Sequence, residues 1–221
     1  MAITSRFEPF PSVPLAVTST PAPAPASCDW RAALPVLKGP AVVLRELRAS
    51  DAPALLATFG TPEVTALISP PPPTLDGFEK FVAWTQRQRE AGQSFAFGIT
   101  LRDSDTVVGL FQVRALQPGF DIAEWGFAIG SEQWGTGLFA AAAGLVLDFV
   151  FGVVGVHRLE ARAALKNGRG NGALYKLGAR QEGVLQRSFL RNGVYLDQVL
   201  WTIFADSRRE AVELPADARV H

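Results

Sequence analysis

The segment from Ile122 to Ala163 constrains this chain more than any other. It reads as a β-rich run over residues 122–129, a turn carrying Gly135 and Gly137, an apolar stretch to about Phe151, a stop at Gly152 and Gly155, and a second β-rich run over 157–163. Strands joined through a helix lie parallel in one sheet, and such crossovers are almost always right-handed. The segment is therefore a βαβ unit, which excludes all-helical folds. Around it, runs at 42–47, 94–101, 106–114, 179–187 and 194–204 alternate as strands. Arg102-Asp-Ser-Asp105 and Arg191-Asn-Gly193 supply hairpin turns. Ser50-Asp51 offers a helix cap for a run through about Phe59, and Thr61-Pro62 restarts a short helix. Phe78, Phe81, Val82 and Thr85 keep a helical stripe that Gly92 stops, and Asn167 caps a further helix ending at Leu177-Gly178. The expected fold is mixed α/β: a central sheet of about seven strands, antiparallel in front, flanked by about four helices, with one parallel crossover.

Seven of the sixteen prolines precede Lys38, which makes residues 1–38 an extended tail. A polar stretch from Arg208 marks 208–221 as a second tail, leaving one domain over 39–207. Twenty-one basic and twenty-one acidic side chains cancel, so the cationic field that nucleic acid or an anionic membrane surface would require is missing. Cys28 has no partner for an internal disulfide. His157 and His221 make no metal cluster, so no metal is expected. The most apolar window, 138–156, carries Asp148 and three glycines and reads as a core helix rather than a membrane span. The amino terminus lacks the basic head and apolar run of a secretory signal, so a cytoplasmic location is expected. Trp84, Trp125 and Trp201 fit core positions, and His157 a packing position at a strand start.

The turn before the apolar helix is the chemical signal. Glycines there allow close backbone approach, and the free N–H groups of a helix start attract an anion without basic side chains. It is neither a Walker loop nor the dinucleotide fingerprint. With Glu132-Gln-Trp-Gly-Thr-Gly137, His157-Arg-Leu-Glu160, Asn167, Lys176-Leu-Gly178, Glu182-Gly183 and Gly193-x-Tyr195-x-Asp197 in that order, the chain resembles the GNAT acetyltransferase superfamily over residues 40–206. Within it, the chain resembles the RimJ/RimL-type branch that acetylates amino-terminal amines.

The resemblance implies acetyl-CoA as cosubstrate. Phe127, Ala128 and Ile129 would then offer backbone groups to the pantetheine arm, the stretch Gln133, Trp134, Gly135, Thr136, Gly137 and Leu138 would hold the pyrophosphate, and Asn167 and Lys176 would touch the cofactor farther along. A homodimer is a further family-level expectation. Two departures stand out: Glu132 occupies the first motif position, where relatives have Gln or Arg, and Gly170 stands where the branch often has serine. Lys166, Arg169 or Lys176 could replace the missing cation.

Acetyl transfer needs a base for the amine and an acid for the leaving thiolate. Glu124, on the strand before the glycine turn, is a candidate base. Glu160 is another, although alternation sets it between Arg158 and Arg162 as an ion-pair ladder. Tyr175 is the candidate acid, one residue nearer the glycine than the superfamily pattern, which turns a helical side chain by about 100°. Near pH 7.4 an α-amine is about a quarter unprotonated and a lysine amine about one part in a thousand, so a weak base suits amino termini. A small-molecule amine, a CoA-binding module without turnover and a partner protein working through its proline-rich tail are the alternatives. The 70–73 proline run reads as a rigid wall of the acceptor cleft.

Overall fold

The computed structural model describes residues 29–207. The expectations for residues 1–28, Cys28 included, for His221 and for the 208–221 tail concern residues outside this range. The strands are β1 (Leu37–Lys38), β2 (Val42–Glu46), β3 (Ser94–Leu101), β4 (Val107–Ala115), β5 (Ile122–Ile129), β6 (Arg158–Ala164), β7 (Arg180–Arg191) and β8 (Val194–Phe204). They form one sheet in the order β1-β2-β3-β4-β5-β6-β8-β7, antiparallel throughout except for the β5–β6 pair. The helices are α1 (Ala52–Phe59), α2 (Pro62–Thr65), α3 (Leu75–Glu90), α4 (Leu138–Phe149) and α5 (Gly168–Lys176).

Strand β3 shows why the sheet is covered on both faces. Phe95, Phe97 and Ile99 alternate into a core with Val146, Leu147 and Phe149 of α4, while Ala96 enters a second core with Leu55 and Phe59 of α1 and Phe78 and Val82 of α3. α3 buries Phe78, Val82, Thr85 and Arg89 at helical spacing, and its cap is Thr74, whose Oγ1 accepts the Gly77 N–H at 3.1 Å. α4 runs into a π-helical turn, Val150–Val154, which Gly155 ends in the left-handed region at φ 86°.

Three expectations change. Residues 29–38, assigned to the tail, are folded: Trp30 is buried with its ring 5.2 Å from both Phe95 and Phe120, and Leu37 and Lys38 pair with Leu44 and Val43, giving the eighth strand. Proline density upstream obscured the apolar anchors Trp30 and Leu34. Asp51 does not cap α1 through its side chain; its carboxylate forms a buried pair with Arg45 at 2.8 Å and accepts the Arg48 N–H at 2.7 Å. Trp84 is not a core residue but lies exposed, stacked on Phe81.

Candidate active site

The site begins where two parallel strands part. β5 and β6 stay in register only from Ile122↔Arg158 to Glu124↔Glu160. Beyond that, β5 remains paired to β4 as far as Ile129↔Gly109, while β6 follows β8 to Ala164↔Gln198. From Trp125 to Ile129 the β5 edge facing β6 therefore has no strand partner among the described residues. Unpaired backbone groups at such an edge are a template for an extended amide-bearing chain. One of them is taken: the Ile129 carbonyl accepts the Trp134 Nε1–H at 3.0 Å, which pins the glycine turn beside the gap.

That turn is built from left-handed glycines, Gly135 at φ 77° and Gly137 at φ 84°, with Gly137 as the residue before α4. Among the described residues a Cβ at either position would meet no atom within 4 Å, so both face open space. On the other side of the gap, Asn167 caps α5, its Oδ1 accepting the Gly170 N–H at 2.9 Å. Asn171 anchors α5 to the sheet through the Ala164 carbonyl at 2.9 Å and the Trp201 indole N–H at 2.8 Å.

Two cavities meet here. The first, about 600 Å³, lies between the glycine turn, the α4 start, α5 and the 63–68 stretch after α1. Of the residues expected to hold a cofactor, Phe127, Ala128, Ile129, Gln133, Trp134, Gly135, Gly137, Asn167 and Lys176 line it. Thr136 and Leu138 do not: the Thr136 hydroxyl donates back to the Gln133 carbonyl at 2.8 Å, and Leu138 packs into the core. The second cavity, about 900 Å³, is walled by the 70–73 proline run, Phe78, Phe81, β4, β5 and Phe189 of β7. Leu67, Ile68, Phe127, Ala128, Asn167 and Gly170 line both, so the cavities join at the strand gap.

Glu124 opens into the second cavity. Its side chain is 15% exposed and paired with Arg114 opposite it on β4, while Arg162 of β6 approaches to 3.9 Å. Glu160 lies outside both cavities. It binds Arg158 at 2.9 Å and Arg162 at 3.9 Å, the ladder that strand alternation predicts. The ladder continues to β7, where Arg158 forms two bonds to Glu182, at 2.6 and 2.5 Å. The Arg158 bond, joined by one from the Thr202 hydroxyl, holds the Glu182 carboxyl below its ordinary pKa. Tyr175 is 72% exposed on the outer face of α5 and lines neither cavity. His157 is an exposed strand-start residue with its ring 6.0 Å from that of Phe204.

The sequence reasoning did not single out Arg114 and expected Arg162 only in the Glu160 ladder; both line the second cavity. Counting outward from the 116–121 turn would have set Arg114 across from Glu124. It also missed the 63–68 stretch, whose place over the first cavity has no local sequence signature. Among the described residues no group of His, Cys, Asp or Glu could hold a metal ion, and no helix is long and apolar enough to cross a membrane.

Residues 41–180 match the acetyltransferase (GNAT) domain family. The uncharacterized N-acetyltransferase YoaA of Bacillus subtilis (strain 168) is 28% identical over 174 residues, covering 76% of this chain and 96% of that protein. Solved structures share the fold, two of them as follows. The ribosomal-protein-S5-alanine acetyltransferase of Vibrio fischeri superposes with a TM-score of 0.70 at 19% identity, covering 78% of this chain and 97% of the other. RimJ of Mycobacterium smegmatis, in complex with CoA-disulfide, superposes with a TM-score of 0.67 at 24% identity, covering 80% and 93%.

Proposed function

Since this chain belongs to the GNAT acetyltransferase family, we propose that it moves the acetyl group of acetyl-CoA directly to a primary amine, the amino terminus of a protein or peptide. The observation that carries this reading is the strand gap with a cavity on each side: cofactor and acceptor enter from opposite faces and meet beside Phe127 and Ala128. Acetyl-CoA supplies an acetyl group activated as a thioester.

The chain's own residues do the rest. The β5 edge from Trp125 to Ile129, apart from the Ile129 carbonyl that Trp134 occupies, takes the amides of the arm as an added strand would. The N–H groups of Phe139 and Ala140 in the first α4 turn, beyond the Leu138 N–H that donates to the Thr136 hydroxyl, and the open faces of Gly135 and Gly137 receive the pyrophosphate. Asn167, its oxygen committed to the α5 cap, presents its amide NH₂ at the junction. Glu124, kept beside Arg114, accepts the proton that the amine loses as nitrogen bonds to the acetyl carbon and the carbon–sulfur bond breaks, directly or through one water. With Tyr175 on the outer face of α5 and Gly170 in place of a hydroxyl, the thiolate takes its proton from solvent.

An amino terminus fits this arrangement because it reaches neutral pH already partly deprotonated, so one carboxylate relay suffices. The ribosomal-protein-S5-alanine acetyltransferase that shares the fold supports a protein acceptor. The test is thiol release by the full chain mixed with acetyl-CoA and peptides that carry either a free amino terminus or a blocked one with an internal lysine. Release with the free amino terminus alone is expected. Release only from the lysine peptide refutes the acceptor class, and no release with any amine, despite cofactor binding, makes the chain a CoA-binding module.

A further inference from the structure

Arg169 stands in the first turn of α5, two residues past the Asn167 cap, and its guanidinium carbon lies 3.6 Å from the centroid of the Trp134 ring. Trp134 belongs to the glycine turn on the far side of the first cavity, held there by its bond to the Ile129 carbonyl. Both side chains line that cavity together with Gly135, Gly137, Phe139 and Ala140. Among the described residues Arg169 has no carboxylate partner; its contact is the indole face. A guanidinium resting on a ring through its face keeps its N–H fork free at the edge, the geometry that binds a phosphate with two parallel bonds.

The glycine turn itself carries Glu132 at its start and no Lys or Arg through Leu138. A diphosphate carries two negative charges, and α4's helix end supplies only about half a positive one. We infer that Arg169 is the cation that binds the cofactor's diphosphate, delivered by α5 in place of a basic residue in the loop, with Trp134 as the residue that positions it. This rests on the acetyl-CoA reading above. It also gives α5 a role in closing the site: a diphosphate held by both the loop and Arg169 ties the α5 start, and with it Asn167, to the far wall.

The test is calorimetric titration of the full chain and of Arg169→Ala with CoA, 3′-dephospho-CoA and pantetheine. Arg169 is exposed, and a thermal melt confirms that the variant folds. Loss of charge-assisted bonds predicts affinity lower by about ten- to a hundredfold for CoA and dephospho-CoA alike, with pantetheine unchanged. Lys166→Ala, which removes an exposed cation outside the cavity, should bind CoA as the unaltered chain does. Unchanged CoA affinity in Arg169→Ala overturns the assignment. So does a loss confined to CoA, which would place Arg169 on the 3′-phosphate, or an equal loss with pantetheine, which would make it a prop for the cavity wall. If the unaltered chain binds none of the three, the acetyl-CoA reading itself fails.

Discussion

Glu124→Gln removes one proton-accepting oxygen and changes little else, so its consequences can be worked from the structure. The side chain is mostly buried, but its partner Arg114 is 52% exposed and Arg162 stands off at 3.9 Å. A pair with one solvated member contributes about 0–1 kcal/mol, and the amide keeps an oxygen to accept from Arg114. For a domain of this size that moves Tm by at most about 2–4 °C. Glu124 lies outside the first cavity, so acetyl-CoA affinity should stay within about threefold. Turnover should not: a positioned general base is worth about 10²–10⁴ in rate, or about 3–5 kcal/mol of barrier. Continuous thiol release at saturating acetyl-CoA and peptide reads kcat, calorimetry reads the affinity, and a melt reads the fold. A kcat within threefold of the unaltered chain refutes the base assignment. A matching drop in affinity and rate would make Glu124 part of the cavity's architecture instead.

Trp30→Ala should cost about 3–5 kcal/mol of stability, measured by chemical denaturation, because it empties a site enclosed by Phe95 and Phe120; a loss below 1 kcal/mol would return residues 29–38 to the tail. Acid should destabilise the fold through Glu182: its folded pKa is depressed by Arg158, so its contribution is present above the unfolded carboxylate pKa and disappears as pH falls through the folded one. Glu182→Gln should therefore flatten the fall in Tm below about pH 4.5, and an unchanged acid slope would contradict that.

The parts of the fold readable in the sequence are those governed by local periodicity and punctuation. β3 and β5 match their alternation end to end, and Gly92, Gly155 and Asn167 stop or start helices where their chemistry requires it. The glycine turn was legible because left-handed backbone needs glycine, at Gly135 and Gly137. Long-range features were harder. Trp30 was hidden by the prolines before it, and β7 runs to Arg191 through an irregular register that no local pattern announces. Tyr175 lies at solvent outside both cavities, one helical position from where the superfamily pattern would set it, while strand alternation alone set Glu160 between Arg158 and Arg162. The cation over Trp134 comes from a helix more than thirty residues downstream, a juxtaposition created by the parting of β5 and β6.

The most direct test of a cofactor site at the glycine turn is calorimetric titration of the full chain and of Gly135→Val with acetyl-CoA. Valine at φ 77° costs about 1–3 kcal/mol in backbone strain, and its methyl groups project into the space that the Cβ of Gly135 would face. Micromolar binding by the unaltered chain, abolished in the folded variant, is the predicted result. Equal affinity in the two proteins, or no binding by either up to millimolar acetyl-CoA, would contradict the account.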